Sequence, residues 1–330
     1  MKAAYIEHTG APSQIRVGDI AEPALVHGSV LVRVKAASVN PIDTYIRSGA
    51  VAMNLPKPYI IGSDLAGVVE AIGEGVSGVR VGERVWGSNQ GLFGRQGTTS
   101  ELACVEAHWL YPTPQGVPDE AAAASALVGI TAHLGLFRRA RLQPGETVLV
   151  NGGAGGVGSV VVQMAKAAGA RVIAVAGGAA NVARCRELGA DDAVDYRSED
   201  VAARVKALAP EGVEVLWETR RETDFDWAIS LLARRGRMVL MAGREARPQF
   251  PVGPFYVKDC ELHGFAKFNA TPAEQRICAD DINRWLAGGR LCANIGRVMP
   301  LDLAADAHQL QEDNTLRHAG TLSGKIVLKI

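Results

Sequence analysis

Six consecutive residues in the middle of the chain have the types and spacing to hold a phosphorylated ligand: Gly153-Ala154-Gly155-Gly156-Val157-Gly158. Three glycines spaced Gly-x-Gly-x-x-Gly say little alone. Here the apolar run 147–151 precedes them and predicts a strand. Val157, Val161, Met164, Ala165 and Ala168 follow at i, i+4, i+7, i+8 and i+11, one face of a helix. In that context the pattern is a dinucleotide-binding turn. One glycine permits the tight turn, one lets the backbone approach a pyrophosphate, and one lets helix and strand pack closely. The N–H groups and dipole of the helix N-terminus then attract phosphate. A glycine-rich turn without a ligand is the competing reading, and the strand and helix on either side count against it.

The acidic residue that would hold an adenosine ribose belongs about 20 residues further on. That place reads Val175-Ala176-Gly177-Gly178, with neither Asp nor Glu. A carboxylate there would repel a 2′-phosphate, so its absence favours NADPH over NADH. Arg184, Arg186 and Arg197 are nearby cations, each of which reads first as solvated surface.

Other side chains could do chemistry. Tyr45 could donate to a developing oxyanion or simply pack as a half-buried aromatic. Asn40 could hydrogen-bond a ligand or serve as a turn residue before Pro41. Asp64 could be a general base, although a loop carboxylate satisfied by backbone N–H groups is favoured. No acid–base pair stands out. The cysteines at 104, 185, 260, 278 and 292 contain no Cys-x-x-Cys pair, which predicts reduced and mostly buried thiols. Zinc needs three or four well-placed ligands. Cys104 and the histidines at 8, 27 and 108 show no ligand spacing, so no metal is expected.

The elements that would position these residues differ along the chain. Up to about residue 125, short apolar runs at 30–34, 65–72, 84–86 and 100–105 alternate with turn residues and predict a small irregular β domain. From 147 the pattern becomes strand, helix, strand: strands at 147–151, 171–175, 213–217 and 237–241, helices at 182–188 and 225–233. That alternation predicts a doubly wound parallel sheet. A helix at 279–287 and a final strand at 325–330 follow, and this tail could return to the β domain. The 330 residues exceed what one core usually supports. Lys+Arg and Asp+Glu are 35 each, with no long basic run, which gives no case for nucleic acid. No run of about 20 apolar residues and no signal-like start are evident, so a soluble cytoplasmic protein without a membrane partner is expected.

The motifs together resemble a family. Residues 151–158 resemble the A-x-x-G-G-V-G turn of zinc-independent medium-chain dehydrogenase/reductases of the quinone oxidoreductase (zeta-crystallin) type. Asn40-Pro-Ile-Asp-Thr-Tyr-Ile-Arg-Ser-Gly49 is similar to its N-P-x-D-x-Y-x-R-x-G. Residues 62–69, 73–76 and 81–85 resemble its G-x-D-x-A-G-x-V, G-x-G-V and G-D-R-V blocks. Gly129-Ile-Thr-Ala132 and Gly324-Lys-Ile-Val-Leu328 resemble its G-x-T-A and closing G-K-x-V-L. The resemblance spans essentially the whole chain.

It implies an α/β protein with a GroES-like irregular β-barrel domain (1–125), a Rossmann domain (126–266), and a return to the first domain (267–330). It also implies a cleft between them and a homodimer. Contacts to NADPH carry over to Asn40, Thr131, Gly155, Gly156, Val157, Gly177 and Tyr196. Gly153, Gly158, Asn181, Gly243, Phe265 and Lys267 complete the candidate set, Lys267 and Phe268 lying where the family lines the nicotinamide pocket. Tyr45 and Asn40 are the candidate catalytic residues. Gly178 stands where the family usually has Ser or Thr, and Asn181 where it has a Lys that binds the 2′-phosphate. Losing that Lys weakens the NADPH preference by roughly tenfold to a hundredfold. Val51 replaces a second Tyr, and Trp217-Glu-Thr-Arg-Arg221 is unusual for the family. Zinc-dependent relatives have a Cys near 41–43 and a His-Glu pair where this chain has Ser63-Asp64. The implied reaction is metal-independent hydride transfer from NADPH to a quinone. Reduction of enones, and a non-catalytic NADPH-binding role, are the alternatives.

Overall fold

The computed structural model describes residues 1–317 and 319–330. They form two compact units: Met1–Leu127 with Thr271–Ala287 and Ala293–Ile330, and Val128–Ala270 with Gly288–Cys292.

The first unit is built around the 11-residue strand Ser29–Val39. Its even-numbered residues Val30, Val32 and Val34 face one core with Leu65, Val69, Val85 and Leu110, the period-2 alternation of a pleated strand. Three strands pair with it, all antiparallel: Asp64–Ile72, Leu102–Glu106 and the C-terminal Lys325–Lys329. The last places Ile326 opposite Val39 and Lys329 opposite Ala36. Sequence periodicity passed over the helix Pro41–Ser48 because it is only eight residues long. Local chemistry specifies it: Asn40 is the N-cap of a capping box with Asp43, Pro41 opens the first turn, and Gly49 ends the helix with φ 83°.

The second unit is a six-stranded parallel sheet in the order 192–195, 171–176, 147–151, 213–218, 232–240, 261–264. Numbered within this sheet the order is 3-2-1-4-5-6, the doubly wound arrangement expected. Val148, Leu149 and Val150 have no exposure at all, as befits a strand covered on both faces. Two boundaries differ from expectation. The helix Phe225–Leu231 stops earlier and a strand begins at Leu232. The helix Ala179–Glu187 starts three residues earlier, directly behind Gly178.

One correction concerns apolar length. The helical run Asp119–Arg139 is long and apolar enough to cross a membrane, contrary to the expectation of no such run. Ala, Ser, Gly and Thr supply much of it, which hides it among ordinary composition. With 78% of its most apolar window buried within the protein, it is a core helix. The boundary between the units falls inside it, between Leu127 and Val128.

Candidate functional site

In the second unit, the strand Thr147–Asn151 leads into the glycine turn and the helix Gly156–Ala167, with Gly155 as N-cap. The glycines have separable reasons. A Cβ on Gly158 would strike the carbonyl oxygen of Gly152 and lie 3.1 Å from Gly153 Cα. Both are backbone and cannot swing aside. A Cβ on Gly153 would lie 2.9 Å from Ala174 Cβ and 3.0 Å from Cys185 Sγ, so this glycine lets the turn pack on the next strand. Gly155 N–H closes the turn onto Gly152 O at 3.0 Å. The N–H groups of Gly156, Val157 and Gly158 open the helix and have no partner within it. The result is a concave backbone surface with donors at a helix N-terminus, which fits a pyrophosphate.

At the end of the second strand, Gly177 and Gly178 lead into the helix Ala179–Glu187. Tyr196, 57% exposed, lies against Gly177, where an added Cβ would come within 2.6 Å of its ring. Asp195 Oδ1 accepts from the N–H groups of Gly178 (2.9 Å) and Arg197 (3.0 Å). These two bonds hold its carboxyl below the usual range. Asn181 Nδ2 donates to Gly177 O at 2.9 Å, so this amide braces the turn. Of the arginines, Arg184 pairs with Glu187 at 3.0 Å on the surface, while Arg197 lies 6.0 Å from the centre of the Tyr196 ring.

Further along the carboxyl edge of the sheet, Gly243 has φ 82° and packs on the carbonyl of Arg221. Phe265 and Trp217 border Gly135, where a side chain would collide with the indole. Thr131 is buried in the helix Asp119–His133. Lys267 is buried in a short 3₁₀ turn, Lys267–Asn269.

The candidate catalytic residues of the first unit sit on and beside a buried polar cluster. Tyr45 is half-buried on the helix Pro41–Ser48. Asn40 is fully buried. Its Nδ2 donates to Asp64 Oδ2 at 2.8 Å, its Oδ1 accepts from Lys325 Nζ, and its N–H donates to Asp43 Oδ2 at 2.8 Å. Asp64 departs from expectation. It starts the strand Asp64–Ile72 and is held mainly by side chains: Ser38 Oγ at 2.9 Å, Ser88 Oγ at 2.5 Å and Asn40, with Leu127 N–H at 3.3 Å. Asp43 accepts from Ser63 Oγ, and Lys325 Nζ also donates to Val39 O at 2.7 Å.

The cluster thus holds two carboxylates and one ammonium out of water. Burial pushes the Asp43 pKa up to about 7, with Asp64 adding to the rise, and it lowers that of Lys325. With one proton on Asp43 the cluster is neutral, the state a dry interior favours. Ser38 and Ser88 carried no sequence signal. Lys325 carried one, a lysine inside an apolar terminal strand. Among the described residues no group of three or more His, Cys, Asp or Glu is arranged to hold a metal. Cys185, Cys260 and Cys278 are buried free thiols, Cys104 is half-buried and Cys292 exposed.

Comparison with known proteins sets this geometry in context. Residues 26–115 match the family model "Alcohol dehydrogenase GroES-like domain", and residues 156–278 match "Zinc-binding dehydrogenase". The chain is 30% identical to the quinone oxidoreductase of Homo sapiens over 99% of its own length and 97% of the relative's. The structure of Escherichia coli quinone oxidoreductase complexed with NADPH superposes with a TM-score of 0.85 at 26% identity, covering all of both chains. A structure described as an NAD-dependent alcohol dehydrogenase superposes with a TM-score of 0.88 at 29% identity, also over all of both chains.

Proposed function

We propose, from the premise that the chain belongs to the quinone oxidoreductase family of medium-chain dehydrogenase/reductases, how its residues divide the work. The protein is an NADPH-dependent quinone oxidoreductase acting on a small-molecule substrate. The observation that carries this reading is the glycine turn, where Gly158 leaves room for no side chain against Gly152 and three first-turn N–H groups have no partner within the helix. Those N–H groups, with Gly153 and Gly155, take the pyrophosphate. Gly177 and Tyr196 receive the adenosine end, with Asn181 bracing the strand-end turn, no acidic residue within 175–178, and the Asp195 carboxylate engaged by the N–H groups of Gly178 and Arg197. Thr131, Gly243, Phe265 and Lys267 are assigned to the nicotinamide end.

When bound, the reduced nicotinamide supplies a hydride. Tyr45 donates a hydrogen bond to the acceptor oxygen as negative charge develops on it. Asn40 is committed to Asp64 and Lys325, so its part is to fix the N-terminus of the helix that carries Tyr45. Water delivers the final proton, because the one protonated carboxyl of the cluster, Asp43, is buried. The 1–127 segment with its C-terminal return serves the acceptor, and the Val128–Ala270 unit serves the cofactor.

We place the protein in the cytoplasm as a homodimer, without nucleic acid or membrane partners. The strand Glu261–Gly264 is an open edge of its sheet, and Val252, Tyr256 and Val257 nearby are exposed. Unpaired edges and apolar patches of this kind invite a second copy, which sedimentation equilibrium would test. The activity is tested by following NADPH oxidation with a panel of quinones and enones. Turnover with quinones is expected. Tight NADPH binding with no turnover on any acceptor would overturn the enzymatic reading, and turnover confined to enones would reassign the substrate.

A further inference from the structure

The segment Trp217-Glu-Thr-Arg-Arg221 has no part in the scheme above. It ends the strand Val213–Glu218, the neighbour of Thr147–Asn151 in the sheet, with Glu218 in register with Asn151. Strands 171–176 and 192–195 extend the sheet to one side of this pair, and 232–240 and 261–264 to the other. The connection order therefore reverses here, and ligands of doubly wound sheets bind in the crevice at the carboxyl ends of such a pair.

Glu218 has 0% exposure, yet every oxygen is paired. Asn151 Nδ2 reaches Oε1 at 3.0 Å and Oε2 at 3.1 Å. Arg220 N–H donates to Oε1 at 2.7 Å, while Arg220 Nη2 and Nε reach Oε2 at 2.8 and 3.1 Å. The Arg220 guanidinium also lies 4.6 Å from the centre of the Trp227 ring, and its side chain is 42% exposed. Thr219 Oγ1 donates to Asn151 O at 2.7 Å and fills the space beside Gly152, and the Arg221 carbonyl fills the space beside Gly243. The loop is thereby tied down at both glycines.

A lone buried carboxylate beside a phosphate-binding turn would repel the ligand. This one instead orients a cation. One edge of the guanidinium is bonded to Glu218 and one face is stacked on Trp227, which leaves the exposed part of a pre-organised fork. We propose that Arg220 is an oxyanion-recognising residue of the dinucleotide crevice, with Glu218 and Trp227 as its positioning residues. The oxyanion is a phosphate of the bound cofactor or a carboxylate on the acceptor. The inference rests on the cofactor site proposed above.

The test uses the full-length protein, Arg220→Met, and Glu218→Gln/Arg220→Met. The double variant removes both charges, so an unpaired buried carboxylate does not confound the result. NADPH affinity is measured by nucleotide fluorescence at several salt concentrations, and KM with a neutral and a carboxylated quinone. If the oxyanion is a cofactor phosphate, the dissociation constant rises about tenfold or more in both variants and its salt dependence weakens. If it belongs to the acceptor, NADPH affinity is unchanged and KM rises about tenfold for the carboxylated quinone alone. Unchanged affinity and unchanged KM for both quinones in the folded double variant would overturn the role of Arg220. Failure of the unmodified protein to bind NADPH would instead overturn the cofactor site itself.

Discussion

The glycine turn of the second unit and the polar cluster of the first are made from opposite materials. The turn works by leaving side chains out. Gly158 lets backbone meet backbone, Gly152 and Gly153 leave room for the side chains of Thr219, Ala174 and Cys185, and the functional groups are N–H donors that any residue but proline carries. The cluster works by packing side chains in. Asn40, Asp43, Asp64, Ser38, Ser88 and Lys325 satisfy one another without water. The turn is therefore sensitive to added volume and indifferent to pH. The cluster is sensitive to the loss of any one charge and responds to pH.

The largest expected effect is on the cluster. Lys325→Met leaves Asp43 and Asp64 buried without a cation. Breaking such an arrangement costs about 3–5 kcal/mol, with Asp43 able to soften the loss by taking up a proton. Denaturant unfolding of the variant should show this, and a change below about 1 kcal/mol would mean that the lysine is not integral to the cluster. Gly158→Val tests the turn in the opposite sense. Its side chain has nowhere to go but into Gly152, so NADPH affinity should fall by more than about a hundredfold, or about 2.7 kcal/mol. Titration showing unchanged affinity and unchanged stability would remove the turn from the site.

Tyr45→Phe probes what the cluster holds in place. Loss of one hydrogen bond to a developing oxyanion lowers kcat/KM by about 1–3 kcal/mol while NADPH affinity stays constant. A loss far beyond a hundredfold would make Tyr45 an obligatory proton donor and favour enone reduction, which must protonate carbon or an enolate. The last response is to pH. Burial raises the folded-state pKa of Asp43 from 3.8 to about 7, so the folded protein holds that proton more tightly than the unfolded chain. The stability this contributes is fully present below about pH 4 and lost as pH rises through about 7. The decline is steepest between the two pKa values, about 1.4 kcal/mol per unit, and above about pH 7 neither state holds the proton, so no further loss accrues. Thermal unfolding from pH 5.5 to 8.5 should show the decline, and Asp43→Asn should flatten it while retaining any contribution from Lys325. Parallel curves for the two proteins would place the titration elsewhere.

How much of this was legible in the sequence follows from the same contrast. The turn was readable because its causes are local: a strand, three glycines and a helix within about 20 residues. Absence of an acid at 175–178 was equally local. The cluster was not readable as a unit. Asn40, Asp64, Ser88 and Lys325 are far apart in the chain, and each in isolation looked like a turn residue, a loop carboxylate or nothing. Nothing local to Asn40 shows that its side chain is engaged by Asp64 and Lys325. The helix Pro41–Ser48 escaped periodicity, although its cap signals lay in plain view at Asn40, Pro41, Asp43 and Gly49. Glu218 and Arg220 stood out as unusual residues, but their pairing with Asn151 depends on two strands lying side by side.

By itself the sequence determined the alternation that builds a parallel sheet, the turn that opens it to a dinucleotide, and the first third as short irregular strands. These follow from periodicity and from steric rules acting within one or two elements. Tertiary structure alone decided which charges share a dry interior and which residues Glu218 pairs with. Burial and pairing arise only when distant segments meet: Lys325 reaches Asn40 across 285 positions in the chain because the last strand lies antiparallel on Ser29–Val39.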